Sequence, residues 1–117
     1  GWEETLGRNG VVIDRPKGCP HPRYPAWIYP VDYGYVPGTT GGDGHEVDVF
    51  VGSAAAGLVG LLITCDAEKD DRETKLLWNL TEYEIAAVTA FLFGGAMTGY
   101  LVRRPATDDS VDSRESA

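Results

Sequence analysis

The stretch Gly42-Asp43-Gly44-His45-Glu46-Val47-Asp48-Val49-Phe50-Val51 joins an acidic, Gly-hinged turn to an apolar segment. From Val47 onward its β-branched and aromatic residues predict a strand. In an extended chain Asp48 and Phe50 point to one side of that strand, and the three valines point to the other. A carboxylate in a hydrophobic strand is costly to bury unless it is paired, and a hard divalent cation is a suitable partner. The stretch therefore indicates either a metal-binding turn or an acidic hairpin turn that is simply solvated.

Composition favours a single small domain. The chain has 117 residues, of which 15 are Gly and seven are Pro, and this many turn residues favours a β-rich fold over a helical bundle. The formal net charge of −8 would repel nucleic acid and anionic membranes. We therefore expect neither as a partner, although an acidic protein can still bind phosphates when cations neutralise both sides.

Three segments are expected along the chain. Residues 1–9 form a polar, flexible lead-in, residues 10–104 form the folded domain, and residues 105–117 form a disordered acidic tail. Cys19 and Cys65 are interpreted as free thiols in a reducing compartment. The sequence contains neither a signal peptide nor an apolar run long enough to cross a bilayer, so the cytoplasm is the expected location.

The apolar pattern predicts strands over residues 11–13, 28–36, 47–51, 58–66, 73–78 and 100–103. The second of these is expected to break near Pro30 and Gly34. Five prolines over residues 16–30 exclude a helix there and predict an extended loop. A helix is expected after Thr81, whose hydroxyl would form a capping box with Glu84, and Gly94 would end that helix.

Spacing alone allows a cluster of charged side chains. Glu73 and Lys75 lie two residues apart and share one face of their predicted strand. If that hairpin packs beside the Asp48 strand, these groups converge with Asp43 and Asp66, and a cluster of carboxylates implies a metal ion. The alternative for Glu73 and Lys75 is a cross-strand ion pair on a solvated face.

The histidines and tyrosines have simpler interpretations. Tyr29, Tyr33 and Tyr35 are typical core or rim aromatics. His45 is interpreted as a turn residue, with a poised base or a metal ligand as the alternative. His21, between two prolines, is expected to be exposed and to have no role.

Two motifs together carry a family resemblance. Tyr29-Pro-Val-Asp-Tyr33-Gly-Tyr35-Val-Pro-Gly-Thr, followed by Gly42-Asp43-Gly44-His45-Glu46-Val47-Asp48-Val49, resembles the soluble inorganic pyrophosphatases of the single-domain β-barrel family. The chain is identified as a shortened and divergent member. The resemblance implies a β-rich α+β fold: a small closed or partly open five-stranded (OB-like) β-barrel with one C-terminal helix packed on it.

The resemblance also implies a site. Metal-binding positions correspond to Asp43, Asp48, Asp66 and Glu73, and Asp14 replaces a site glutamate. Substrate-binding positions correspond to Lys75, Arg23, Tyr33 and Tyr29, with Arg15 as a further anchor. The cofactor would be Mg²⁺, with Mn²⁺ or another divalent cation as alternatives. The partners would be diphosphate and further copies of the chain in a homo-oligomer.

The chain departs from the family pattern at the base. The family's middle aspartate, which helps activate the nucleophilic water, is His45 here, and Glu46 follows it in place of a proline. Either group can hold or accept a proton, so both are candidate catalytic residues alongside Lys75 and Tyr33. The implied function is metal-dependent hydrolysis of inorganic diphosphate to two phosphates, as part of phosphate metabolism, by two-metal activation of water. The alternatives are a hydrolase of another small phosphoanhydride and an inactive, pyrophosphatase-like interaction module.

Overall fold

The structure is a computed structural model that describes residues 1–42 and 44–105. Asp43 and the acidic tail from residue 106 lie outside these described residues. In chain order the elements are α1 (Trp2–Asn9), β1 (Val12–Arg15), β2 (Asp32–Val36), β3 (Val47–Val51), β4 (Leu58–Asp66), β5 (Asp71–Trp78), α2 (Glu82–Phe93) and β6 (Met97–Arg103). No helix in the described part of the chain is both long and apolar enough to cross a membrane.

The six strands form one open sheet in the order β1-β2-β3-β5-β4-β6, whose edges are β1 and β6. Neighbouring strands are antiparallel except β3 and β5, which are parallel. The predicted β-rich architecture is confirmed, but the five-stranded barrel and the single helix are not. The sheet has a sixth strand because β6 pairs with β4 from Gly60 to Asp66. Gly99 permits this pairing, since a Cβ there would lie 1.9 Å from the Ile63 carbonyl oxygen.

Each face of the sheet supports its own hydrophobic cluster. Strand alternation places Phe50 and Leu77 on one face, where they pack with residues of α2 such as Val88. Val49 and Leu76 point to the opposite face and pack with Leu6 of α1. The alternation predicted for residues 47–51 is therefore confirmed, and the Asp48 face is the face that α2 covers.

The N-terminal residues form a helix where the sequence predicts a flexible lead-in. Residues 2–9 form α1, and Leu6 is buried against the valine face of the sheet. Asn9 donates its side-chain amide to the Pro37 carbonyl at 2.9 Å, which fixes the end of the helix. A short helix with about one apolar residue per turn gives only a weak signal in the sequence. Packing of Leu6 against the sheet stabilises this helix.

The capping box of α2 is present as predicted. The Thr81 hydroxyl accepts a bond from the Glu84 amide at 3.1 Å, and the Glu84 carboxylate accepts one from the Thr81 amide at 2.9 Å. The same carboxylate accepts a bond from the Ser53 amide at 3.1 Å. Glu84 thereby ties the connection after β3 to the start of α2.

The predicted break at Gly34 is absent, and β2 runs through this residue. The reason for glycine is a close approach of β1: a Cβ at residue 34 would lie 1.8 Å from the Val12 carbonyl oxygen. Gly34 is paired with Ile13 of β1 and leaves room for this close approach of the two backbones.

Asn79 controls the turn that links β5 to α2. Its φ of 60° is left-handed, and its side-chain oxygen accepts bonds from the amides of Gly57 at 2.7 Å and Ala56 at 3.0 Å. Replacing Asn79 by Ala should lower the free energy of unfolding by about 2 kcal/mol, because it removes both bonds and adds backbone strain. Asn79→Gly should cost less, since glycine adopts this φ freely. Urea unfolding of both variants measures the difference, and equal losses would contradict a contribution from strain.

Candidate functional site

A cleft of about 440 Å³ opens on the sheet face that carries Phe50. Its walls come from the end of β1, the Pro-rich loop, β2 to β5, the C-terminal end of α2 and the start of β6. The charged and aromatic residues that line it are Arg15, His21, Arg23, Tyr24, Trp27, Tyr29, Tyr33, Asp48, Phe50, Asp66, Glu68, Lys69, Asp71, Glu73, Lys75 and Phe91. We refer to this space as the cleft.

Lys75 lies at the centre of the cleft wall and is 6% exposed. Its ammonium donates to the Tyr33 hydroxyl at 2.7 Å, to Asp48 Oδ2 at 2.9 Å and to Glu73 Oε2 at 3.2 Å. The Tyr33 hydroxyl in turn donates to Asp48 Oδ2 at 2.6 Å. The parallel pairing of β3 with β5 brings these groups together, because it sets Asp48 opposite Lys75. The convergence predicted from spacing is therefore present for Asp48, Glu73 and Lys75.

The protonation states of this central group follow from its contacts. Burial acts to lower the pKa of Lys75, but its contacts with Tyr33 and Asp48 outweigh burial and raise that pKa above its ordinary value. Burial, together with the negative charge of Asp48, raises the pKa of Tyr33. At neutral pH the lysine is therefore a cation and the tyrosine a neutral phenol. The buried positive charge of Lys75 therefore lies against the carboxylates of Asp48 and Glu73.

Arg15 and Arg23 make one end of the cleft basic. The Arg15 guanidinium donates to the Tyr29 hydroxyl at 2.5 Å and lies 5.6 Å from the Tyr33 ring centroid. The Arg23 guanidinium lies 5.6 Å from the Tyr24 ring centroid. Within residues 1–42 and 44–105, neither arginine forms an ion pair with a carboxylate. In a chain with a net charge of −8, such arginines are suited to bind an external anion.

The opposite end of the cleft is acidic. The β4–β5 register sets Thr64 opposite Glu73 and Asp66 opposite Asp71, so that acidic side chains follow one another away from Lys75. Asp66 Oδ1 also accepts bonds from the amides of Glu68 at 3.0 Å and Lys69 at 3.4 Å in the turn after β4. Among the described residues no three His, Cys, Asp or Glu side chains are grouped as a ready metal site.

Two comparisons with known proteins agree with this arrangement. The family model for inorganic pyrophosphatase matches residues 12–67, from β1 to the turn after β4. Over these residues the chain is similar to the inorganic pyrophosphatases. Among solved structures, its fold is similar to that of an inorganic pyrophosphatase from Helicobacter pylori, with a TM-score of 0.57 and 21% identity. That similarity covers 92% of this chain and 89% of the other. No match was found among curated protein sequences.

All five predicted substrate-binding residues line the cleft. They are Arg15, Arg23, Tyr29, Tyr33 and Lys75. Asp48, Asp66 and Glu73, predicted as metal ligands, line it as well. Asp43 lies outside the described residues.

Three predicted site residues do not line the cleft: Asp14, His45 and Glu46. An irregularity in β1 between Ile13 and Arg15 sets Arg15 opposite Tyr33, and Asp14 is left exposed. His45 and Glu46 are exposed in the turn that precedes β3. The resemblance assigns a metal-binding role in β1 to Asp14. In the structure it is the neighbouring Arg15 that lines the cleft.

His21 is the residue that sequence reasoning missed. It was expected to be exposed without a role, but it lines the cleft and its Nδ1 accepts bonds from the amides of Arg23 at 3.0 Å and Tyr24 at 3.3 Å. Its ring stacks on Tyr29 with centroids 6.1 Å apart. Because Nδ1 is an acceptor, the neutral ring carries its proton on Nε2. The available sequence signal was the concentration of aromatic residues within the Pro-rich loop.

Burial and the charges of Arg15 and Arg23 lower the pKa of His21 below 6.5. Since the fold favours the neutral ring, His21 contributes stability at neutral pH that is lost as pH falls through this pKa. A proton NMR titration of the His21 ring should therefore give a midpoint below 6.5, and Arg23→Gln should move that midpoint upward. A midpoint at or above 6.5 would contradict the described geometry.

Proposed function

We propose that this protein hydrolyses inorganic diphosphate to two phosphates in the cleft. The observation that carries the proposal is the separation of charge along the cleft. Two arginines without carboxylate partners in the described chain occupy one part, and carboxylates occupy the other, where Asp48 and Glu73 pair with the buried Lys75 ammonium. Diphosphate with bound divalent cations has the matching pattern, because its oxygens suit the basic groups and its cations suit the acidic ones. The match to the pyrophosphatase family supports the same substrate.

The donor chemistry of the acidic end fits a hard divalent cation. Asp48, Asp66 and Glu73 offer carboxylate oxygens, the ligands that Mg²⁺ prefers, and Asp43 is the further ligand that the sequence predicts. Mg²⁺ in phosphate sites is held by one or two carboxylates together with substrate oxygens. A preformed group of three protein ligands is therefore not required. We propose Mg²⁺, with Mn²⁺ as an alternative, and two such ions in the working enzyme. When bound, they neutralise the phosphoryl oxygens and lower the pKa of a coordinated water.

The remaining roles belong to the basic groups. Asp48 and Glu73 hold the Lys75 ammonium in the cleft wall, and a phosphoryl oxygen would bond to it by replacing one of its three acceptors. Arg15 and Arg23 would hold the other phosphoryl group, and Tyr33 would keep Lys75 and Asp48 aligned. These residues bind the substrate and stabilise the charge that develops during transfer. That His45 or Glu46 accepts the proton of the attacking water stays a prediction, since neither lines the cleft.

The cellular setting is also a proposal. We expect a cytoplasmic homo-oligomer that takes part in phosphate metabolism. We expect it to bind neither nucleic acid nor membranes, because a net charge of −8 repels both. A domain organisation of 10–104, with a separate acidic tail, stays a prediction.

Phosphate release from inorganic diphosphate tests the proposal. The wild-type protein should release phosphate when Mg²⁺ is present and should stop when a chelator of divalent cations is added. Thermal unfolding in parallel should show a higher midpoint with Mg²⁺ plus methylenediphosphonate, because ligands that bind the native state stabilise it. Absence of metal-dependent phosphate release from a folded sample would sink the proposal and favour an inactive interaction module.

A further inference from the structure

The basic end of the cleft continues into an aromatic loop, residues 20–28, whose rings the proposed hydrolysis does not use. Two of its side chains line the cleft and are largely accessible: Tyr24 is 44% exposed and Trp27 is 40% exposed. Their ring centroids lie 4.8 Å apart. Exposed aromatic side chains beside a charged site are surfaces on which flat rings stack.

This aromatic loop has a fixed shape. An isolated β-bridge joins Pro20 to Ile28 across its base. The His21 amide donates to the Trp27 carbonyl at 2.7 Å, and the Trp27 amide donates to the Tyr24 carbonyl at 2.9 Å. Trp27 also packs with one edge toward Phe91 of α2, with centroids 6.4 Å apart. A ligand ring would therefore meet aromatic faces that are already held in place, which reduces the entropic cost of binding.

Contacts between rings connect this loop to the centre of the cleft. His21 stands between Trp27 and Tyr29, at centroid distances of 5.9 Å and 6.1 Å. Tyr29 lies 5.3 Å from Tyr33, and the Lys75 ammonium lies 5.2 Å from the Tyr33 centroid. Moving outward from Lys75, a ligand thus meets first the Arg15 guanidinium and then the aromatic loop with Arg23 at its tip.

We propose that the cleft also binds nucleoside diphosphates, with the base stacked on Tyr24 and Trp27 and the diphosphate group held by Arg15 and Lys75. The proposal rests on the proposed function, because it places the same phosphoanhydride group at the same cations. Arg23 beside Tyr24 supplies a cation where the sugar and its phosphate meet the loop. A single nucleotide suits this site better than a nucleic acid strand, since a chain of charge −8 repels a polyanion.

Calorimetric titration of ADP with Mg²⁺ tests this inference, with methylenediphosphonate as the matched ligand that has no ring. Tyr24→Leu and Trp27→Leu should each weaken ADP binding by roughly tenfold, as loss of one stacking partner does. Both variants should bind methylenediphosphonate as wild type does. Tyr100→Leu is the control, because Tyr100 is 55% exposed on β6 and does not line the cleft. It should leave both affinities unchanged.

Other outcomes separate the two proposals. If the wild type hydrolyses diphosphate but does not bind ADP, the nucleotide inference falls and the proposed function stands. If ADP binds with the expected variant pattern but diphosphate is not hydrolysed, the proposed function falls and the nucleotide site stands. Equal losses for both ligands would assign the aromatic residues a structural role and overturn the inference. If Trp27→Leu changes the sedimentation of the protein but not its affinity for ADP, the inference is also overturned. The aromatic loop would then be a contact surface between copies of the chain.

Discussion

Replacing Lys75 by Met should reduce the rate of diphosphate hydrolysis by roughly 10²- to 10³-fold, the usual cost of removing one preorganised group that stabilises transition-state charge. The ammonium is the only cation that is bonded to both Asp48 and Glu73 among the described residues, so no neighbour replaces it. Its removal also leaves those carboxylates to repel the incoming anion. Initial rates of phosphate release at saturating Mg²⁺ measure the effect.

Lys69→Met is the matched control for this prediction. Lys69 also lines the cleft, but it lies in the exposed turn after β4 and forms no ion pair within the described chain. Its replacement should change the rate by no more than a few-fold, as loss of a surface charge usually does. Near-UV circular dichroism checks that Lys75→Met remains folded. A folded Lys75→Met protein with the wild-type rate would remove Lys75 from the site.

Asp48→Asn should lower the rate by at least about 10²-fold and should raise the Mg²⁺ concentration needed for half-maximal activity. The amide keeps the shape of the side chain and can still accept the bond from Tyr33, so the change removes mainly negative charge. That charge is needed twice, once to hold Lys75 and once to hold a cation. Phosphate release measured across a series of Mg²⁺ concentrations separates the effect on cation affinity from the effect on rate.

Asp14→Asn distinguishes the structure from the sequence resemblance. The resemblance makes Asp14 a metal-binding residue, whereas the structure leaves it exposed and outside the cleft lining. The structure therefore predicts nearly wild-type activity for Asp14→Asn. Equal losses for Asp14→Asn and Asp48→Asn would show that the resemblance describes the site better than the geometry does.

The local elements of this fold could be predicted because their signals lie within a few residues. The two-residue period of β3 separates Asp48 from the valines, and Thr81 with Glu84 marks the start of α2. The site itself depends on neighbours that are distant in sequence. Asp48 meets Lys75 only because β3 pairs in parallel with β5, and the chain passes through β4 between them. The spacing of these residues along the sequence shows that they would cluster if β3 paired with β5. It does not show that these two strands pair.

Two other features depend on geometry that the sequence does not display. The register irregularity in β1 places Arg15, and not Asp14, toward the cleft. A shift of one residue in the pairing of β1 with β2 would place Asp14 there instead. His21 enters the cleft because backbone bonds close the Pro-rich loop, which a count of prolines describes only as extended. In both cases the resemblance to the pyrophosphatases identifies the region but not the side chain.

Calorimetric titration of methylenediphosphonate into the wild type and into Lys75→Met, with and without Mg²⁺, tests most directly whether the cleft around Lys75 binds diphosphate together with a divalent cation. We expect binding to the wild type that requires Mg²⁺ and that weakens by roughly tenfold or more in Lys75→Met, because a buried charged partner is lost. Binding that is equally strong without Mg²⁺, or unchanged in a folded Lys75→Met variant, would contradict this expectation.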